Sequence, residues 1–375
     1  MTPFTPRVLA GEDFQSLLDA IAAAGYQPIG PTERGGAIEY APVSSVAEFP
    51  RGLVDSAGPG TYALERGDRP TLFGYVTAAQ SWKRHLFPPR ERIITISSAG
   101  GAPVYRSVVP PAPRYAFIGV RACELAAIAI QDRVFLDTRF EDPRYAARRR
   151  DLLLVAVECV RAGETCFCAS MGTGPGVTAG ADLTLTEVTG ADEHWFLVRA
   201  GSTIGAQLIA VLPTTAADDA HVAECERRVA AAAAAMGREL DPADIHDVLV
   251  ENPSHPRWSE VAERCLACTN CTLVCPTCFC STTADTSGLD GVSFSRERRW
   301  DSCFTLGFSS LHGHPLRASI AARYRQWLTH KLANWIDQFG MSGCVGCGRC
   351  ITWCPAGIDI TQEVAAIRDS LEVAT

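Results

Sequence analysis

Cys265, Cys268, Cys271 and Cys275 stand at C-x2-C-x2-C-x3-C with Pro276 next, and Cys344, Cys347, Cys350 and Cys354 repeat that spacing with Pro355 next. No other feature constrains the fold as strongly, because each run must bring its thiolates onto one inorganic core. Two such runs in one chain are the signature of a pair of [4Fe–4S] clusters. Three ligands come from one tight turn, where two-residue gaps aim successive side chains inward. The fourth usually crosses over to the other cluster. The expected sets are therefore Cys265, Cys268, Cys271 and Cys354 for one cluster, and Cys344, Cys347, Cys350 and Cys275 for the other. Wiring of this kind forces the clusters close together, which suits an electron relay. C-x2-C pairs also bind zinc, but zinc has no need of two complete 2-2-3 runs each closed by proline.

The remaining composition bounds the partners. The chain has 375 residues, 47% of them hydrophobic, so two or three domains with a sizeable core are expected. A formal net charge of −8 argues against nucleic acid. No stretch approaches the roughly 18 apolar residues of a membrane span. MTPFTPRVLAGEDF lacks the apolar centre of a signal peptide. Cysteines spaced for metal rather than disulfides fit a reducing cytoplasm, the expected location.

Before the cluster motifs the chain reads as mixed α/β. Asp13–Ala24 has helical periodicity through Phe14, Leu17, Leu18 and Ile21. Strand-like pieces lie near 37–41 and 93–96. From Tyr115 an apolar strand (115–120), an apolar-periodic helix (124–135) and a second apolar strand (151–157) predict a parallel βαβ unit. Strand signals follow at 183–188 and 195–198, then helices at 202–212, 217–240 and 244–250. Two prolines in 251–256 mark a boundary. The fold expected is an α/β N-terminal part, residues 1–250, of uncertain ligand and with a helical C-terminal end. A mostly helical two-[4Fe–4S] ferredoxin-like domain follows at residues 251–375. Its long insertion, 276–343, is read as largely one helix from about Leu316 to Phe339, whose basic residues Arg317, Arg323, Arg325 and Lys331 form a solvated or partner-docking face.

Eight further cysteines remain. Cys123 follows the 115–120 strand, and Cys159, Cys166 and Cys168 follow the 151–157 strand. Parallel sheets bind ligands beyond the carboxyl ends of their strands, so these four could hold a third cluster; buried packing is the alternative. Cys278, Cys280 and Cys303 are read as packing around the clusters, with altered ligation as the alternative, and Cys225 as packing in an alanine-rich helix. Gly172, Gly174 and Gly176 lack the spacing of a dinucleotide fingerprint and read as a tight loop beside the cysteines. There is no serine-elbow motif, no Walker loop and no paired catalytic carboxylate, so no catalytic residue is assigned.

The stretch from CLACTNCTLVCPTCFC through RRWDSCF and RQWLTHKL to CVGCGRCITWCPAGIDI, with GVRACELAAIAIQDRVF and GETCFCASMGTGP, resembles a known subunit. It is similar to the iron–sulfur beta subunit of cytoplasmic NAD(P)-linked [NiFe]-hydrogenases of the sulfhydrogenase type, a close relative of which is the A subunit of anaerobic sulfite reductase. The likeness spans about Arg114 to Arg368, and Ala122 departs from the proline expected before Cys123. The resemblance implies cluster ligation by the eight motif cysteines. It also implies a hetero-oligomer with hydrogenase large and small subunits and a flavin/NAD(P)-binding subunit. The expected role is relaying single electrons between the flavin and [NiFe] modules. The alternatives are the same relay in a sulfite or polysulfide reductase, or a stand-alone iron–sulfur flavoenzyme.

Overall fold

The structure, a computed structural model, describes residues 5–98, 101–109, 111, 113–137, 139–191 and 193–374, without the side chains of 372–374. Its centre is an eight-stranded sheet in the order Thr214–Ala216, Arg7–Ala10, His194–Ala200, Leu183–Thr189, Leu153–Val157, Tyr115–Val120, Gln27–Arg34, Ala37–Pro42. The four strands from Leu183–Thr189 to Gln27–Arg34 run parallel, and the outer pairings are antiparallel. The expected βαβ unit is present as Tyr115–Val120, helix Ala122–Phe135 and Leu153–Val157. Leu153–Val157 and Leu183–Thr189 are buried throughout, as befits central parallel strands covered on both faces. Helix Phe14–Ala23 lays Phe14, Leu17, Leu18 and Ile21 into this core.

The insertion corrects the expectation of a mostly helical C-terminal part. Ser281–Ser287 and Ser293–Trp300 form an antiparallel hairpin. Ser293–Trp300 then pairs with Arg90–Ser97, which pairs with Val104–Ser107, so strands from both halves of the chain share one sheet. The physical reason is that this hairpin is held by charge rather than by apolar alternation. Arg90 meets Glu297 at 2.7 Å and Arg296 meets Asp285 at 2.7 Å across strands. Arg298 bonds Glu91 at 2.9 Å, pairs with Asp142, and lies 4.5 Å over the Phe87 ring. Such cross-strand pairs stabilise a sheet without any hydrophobic period. The turn carries Asp290-Gly291, with Gly291 at φ +69, the hairpin signal that an apolar count overlooks.

The expected single helix of the insertion is also broken. Ile320–Thr329 is α-helical and capped by Ser319, His330–Asn334 is a π-helical turn, and Trp335–Phe339 ends at Gly340 with φ +69. Arg323 and Lys331 are buried, not solvated. Tyr324, Trp327, Leu328 and Leu332 pack with Trp258, Val261, Ile351, Ile360 and Val364 into a second core around the cysteine motifs.

Candidate iron–sulfur centres

The first motif begins where helix Arg257–Arg264 stops at Cys265. Ala267 (φ +49) and Thr269 (φ +71) then hold left-handed conformations that wind the chain tightly before the short helix Asn270–Leu273. Left-handed backbone at a β-branched residue is strained and is kept only where its surroundings impose it. Cys265, Cys268 and Cys271 line one cavity together with Cys350 and Cys354, the last two cysteines of the second motif. Phe304, Tyr324, Trp327 and Ile358 complete its apolar wall. The Ala267 amide donates to Cys265 Sγ (3.4 Å) and the Ile358 amide to Cys354 Sγ (3.3 Å).

In the second motif, Gly346 (φ +62) and Gly348 (φ +71) flank Cys347. Both also lie under the loop that carries Cys166 and Cys168. A Cβ on Gly346 would stand 2.6 Å from the Cys168 amide nitrogen, and one on Gly348 would stand 2.3 Å from the Thr165 carbonyl oxygen. Only glycine fits either place. Cys275, from the first motif, belongs electrostatically with this set. Burial, and then the neighbouring Cys344, Cys347 and Cys275 sulfurs, push the Cys350 thiol well up. Burial pushes Cys344 up to about 12 against the pull of Lys331. Cys275 itself is held well below the ordinary thiol range by a hydrogen bond from Cys278, against burial and with help from Lys331. Burial and the sulfurs of Cys265, Cys354 and Cys268 likewise raise Cys271. Cys275 follows them in its effect on Cys271, and Cys350 of the second motif lines the same cavity as Cys271, so the two sets stand side by side.

Buried sulfurs that raise one another's pKa mark a place where positive charge is missing. Binding metal there displaces protons and relieves the repulsion. Among the described residues no three or more His, Cys, Asp or Glu side chains converge on a point fit for a single metal ion. The first set instead surrounds a cavity, as a cubane requires. The donor set, all cysteine in two fours, fits [4Fe–4S].

The four N-terminal cysteines are also neighbours. Cys123 opens helix Ala122–Phe135 and Cys159 follows Leu153–Val157, both at the carboxyl edge of the parallel strands. Cys166 is raised by burial and then by Cys168 and Cys159; Cys123 is raised by burial and then by Cys168 and Cys347. Their loop is tied to the second motif: the Phe167 amide donates to Gly346 O (2.8 Å), and the Thr165 and Thr352 hydroxyls meet at 2.8 Å. Gly174 lies against Ala122 and Cys168, so the glycine loop does sit beside the cysteines.

Cys225 packs with Val188 and Leu197. Cys278 touches Cys275, and Cys303 donates to Cys280, holding it at about 7 despite burial. Four charged residues carry no signature in cysteine spacing. Arg349 and Glu124 form an ion pair that is 0% and 1% exposed and joins the second motif to helix Ala122–Phe135. Lys83 Nζ bonds the carbonyls of Leu273 and Cys278, each at 3.2 Å, and sits 3.9 Å over the Trp300 ring. Lys331 Nζ donates to Cys275 Sγ (3.3 Å), Thr277 Oγ1 (2.9 Å) and Gly343 O (3.3 Å). For Lys331 a signal existed: it falls midway between Trp327 and Trp335, four residues from each, on the apolar face.

Comparison with known proteins agrees with this geometry. Residues 264–358 match the family model described as a 4Fe-4S dicluster domain. The chain is 33% identical over 265 residues to sulfhydrogenase 2 subunit beta of Pyrococcus furiosus, covering 69% of this chain and 75% of that protein. No solved structure matches.

Proposed function

The chain belongs to the family of sulfhydrogenase iron–sulfur beta subunits, and we propose that it relays single electrons between a flavin/NAD(P)-binding subunit and a [NiFe]-hydrogenase module. Its role is electron transfer within a multisubunit hydrogenase. Cys265, Cys268, Cys271 and Cys354 hold one cluster in this reading, and Cys344, Cys347, Cys350 and Cys275 hold the other. When bound, each cluster takes up and releases one electron at a time. The reading is supported by an exchange of fourth cysteines, to which two observations point: Cys354 lines the first motif's cavity, and Cys275 is among the sulfurs that raise Cys344, Cys347 and Cys350. That exchange ties two redox centres side by side, which a bracing role does not call for. The protein's own part is to exclude water with Phe304, Tyr324 and Trp327 and to direct N–H groups at the sulfurs.

The family relation and the dicluster match support the role; the named partners and a cytoplasmic location are part of the proposal. All sixteen cysteines are free, consistent with a reducing compartment. Among the described residues no helix is long and apolar enough to cross a membrane. Anaerobic co-purification from the native source, with mass-spectrometric identification, tests the assembly. A nickel-binding subunit and a flavin subunit are expected. A sirohaem reductase in their place would overturn it.

We extend the same reading to Cys123, Cys159, Cys166 and Cys168 as ligands of a third cluster, supported by their mutual proximity at the strand ends and their contact with the second motif. The double change Cys166→Ser, Cys168→Ser is expected to remove about four irons and leave the rest. Unchanged iron would return these residues to packing.

A further inference from the structure

Lys331 is a buried cation, 6% exposed, that the relay itself does not explain. Its three ammonium donors are all used: on the sulfur of Cys275, on the Thr277 hydroxyl and on the Gly343 carbonyl. Three satisfied donors with no acceptor among them is the pattern of a charged ammonium. The residue is also fixed through its backbone. In the π turn its carbonyl oxygen accepts from the Gly343 amide at 2.8 Å, so Lys331 grips the residue before Cys344 from both ends. Single π turns inside α-helices frequently mark functional sites.

Resting on the two-cluster reading, we propose that Lys331 sets the reduction potential of the centre held by Cys275, Cys344, Cys347 and Cys350, and so draws the relayed electron to that centre. Reduction adds one negative charge inside the protein. A buried ammonium bonded to a ligand sulfur stabilises that charge, and it is little screened by solvent. Lys83 adds to the same field from the carbonyls of Leu273 and Cys278. The nearby Arg349 is already paired with Glu124. At the first site the sulfur contacts are backbone amides, from Ala267 and Ile358. Among the described residues no ammonium bonds a sulfur there.

The test is an EPR-monitored redox titration of the full-length, iron-loaded protein carrying Lys331→Met, with iron counted in the same samples. The second centre, identified as the signal lost in Cys350→Ser, is expected to become at least tenfold harder to reduce relative to the first. For one electron that is about 59 mV toward lower potential. The first centre's signal stays in place, and Lys331→Gln, which keeps donors without charge, falls between. Intact iron with unmoved potentials overturns the proposal, as does a shift confined to the first centre. If Lys331→Met loses iron, Lys83→Met reads the same field: its ammonium touches no sulfur, and it must move the second signal in the same direction, or the proposal fails. Wild-type protein with fewer than about eight irons would instead overturn the two-cluster reading beneath it.

Discussion

Cys350→Ser is expected to take about four irons out of the protein and leave the rest in place, and Cys271→Ser is expected to do the same to the other motif cluster, at four irons per cubane. The two variants should lose different components of the reduced EPR spectrum. The expectation follows from where the sulfurs stand. Cys271 shares its cavity with Cys265, Cys268 and Cys354. After burial, the sulfurs of Cys344, Cys347 and Cys275 raise the Cys350 thiol most, even though it also lines the first cavity. A crossover predicts more than two independent motifs do: Cys354→Ser should match Cys271→Ser, and Cys275→Ser should match Cys350→Ser. If the fourth ligands stayed within their own motifs, that pairing would be reversed.

Arg349→Met is expected to cost about 3–5 kcal/mol, the usual penalty for stranding one member of a buried ion pair. Arg349 and Glu124 are both shut away from water. Arg349 Nε also donates to the Ala78 carbonyl at 3.0 Å, so it ties three segments together. Removing it leaves the Glu124 carboxylate without its counter-charge, in a place whose burial already raises its pKa. For a chain of this size the thermal midpoint should fall by on the order of 10 °C. Adding Glu124→Gln should return part of that loss, because the stranded charge is gone. A double variant no better than Arg349→Met alone would mean that the pair is not what holds the second motif against helix Ala122–Phe135.

What the sequence made legible was local. Cysteine spacing announced both motifs, and the βαβ unit from Tyr115 to Val157 was visible because central parallel strands are continuously apolar. The hairpin 281–300 was hidden because its stability comes from arginine–carboxylate pairs across strands. One of those pairs joins Glu297 to Arg90 in the other half of the chain. Lys331 reads as part of a solvated face because a basic residue on a helix usually is one. Its partner, Cys275, lies on a loop that only the tertiary fold brings near. The same holds for Gly346 and Gly348: beside Cys347 they read as freeing backbone N–H groups to approach the sulfides, whereas the structure also shows the Cys166–Cys168 loop pressed onto them. Charge pairs and close approaches between distant segments carry no periodicity, so a pattern of residues along one chain does not reveal them.

The most direct test of the relay is made on the assembly isolated with this chain, given hydrogen as the electron source. Wild-type assembly is expected to pass electrons from hydrogen both to an artificial viologen acceptor and to NAD(P)+. With Cys350→Ser in this chain, viologen reduction at the hydrogen-activating module should persist while NAD(P)+ reduction collapses. Undiminished NAD(P)+ reduction in that variant, with its iron loss verified, would contradict the account.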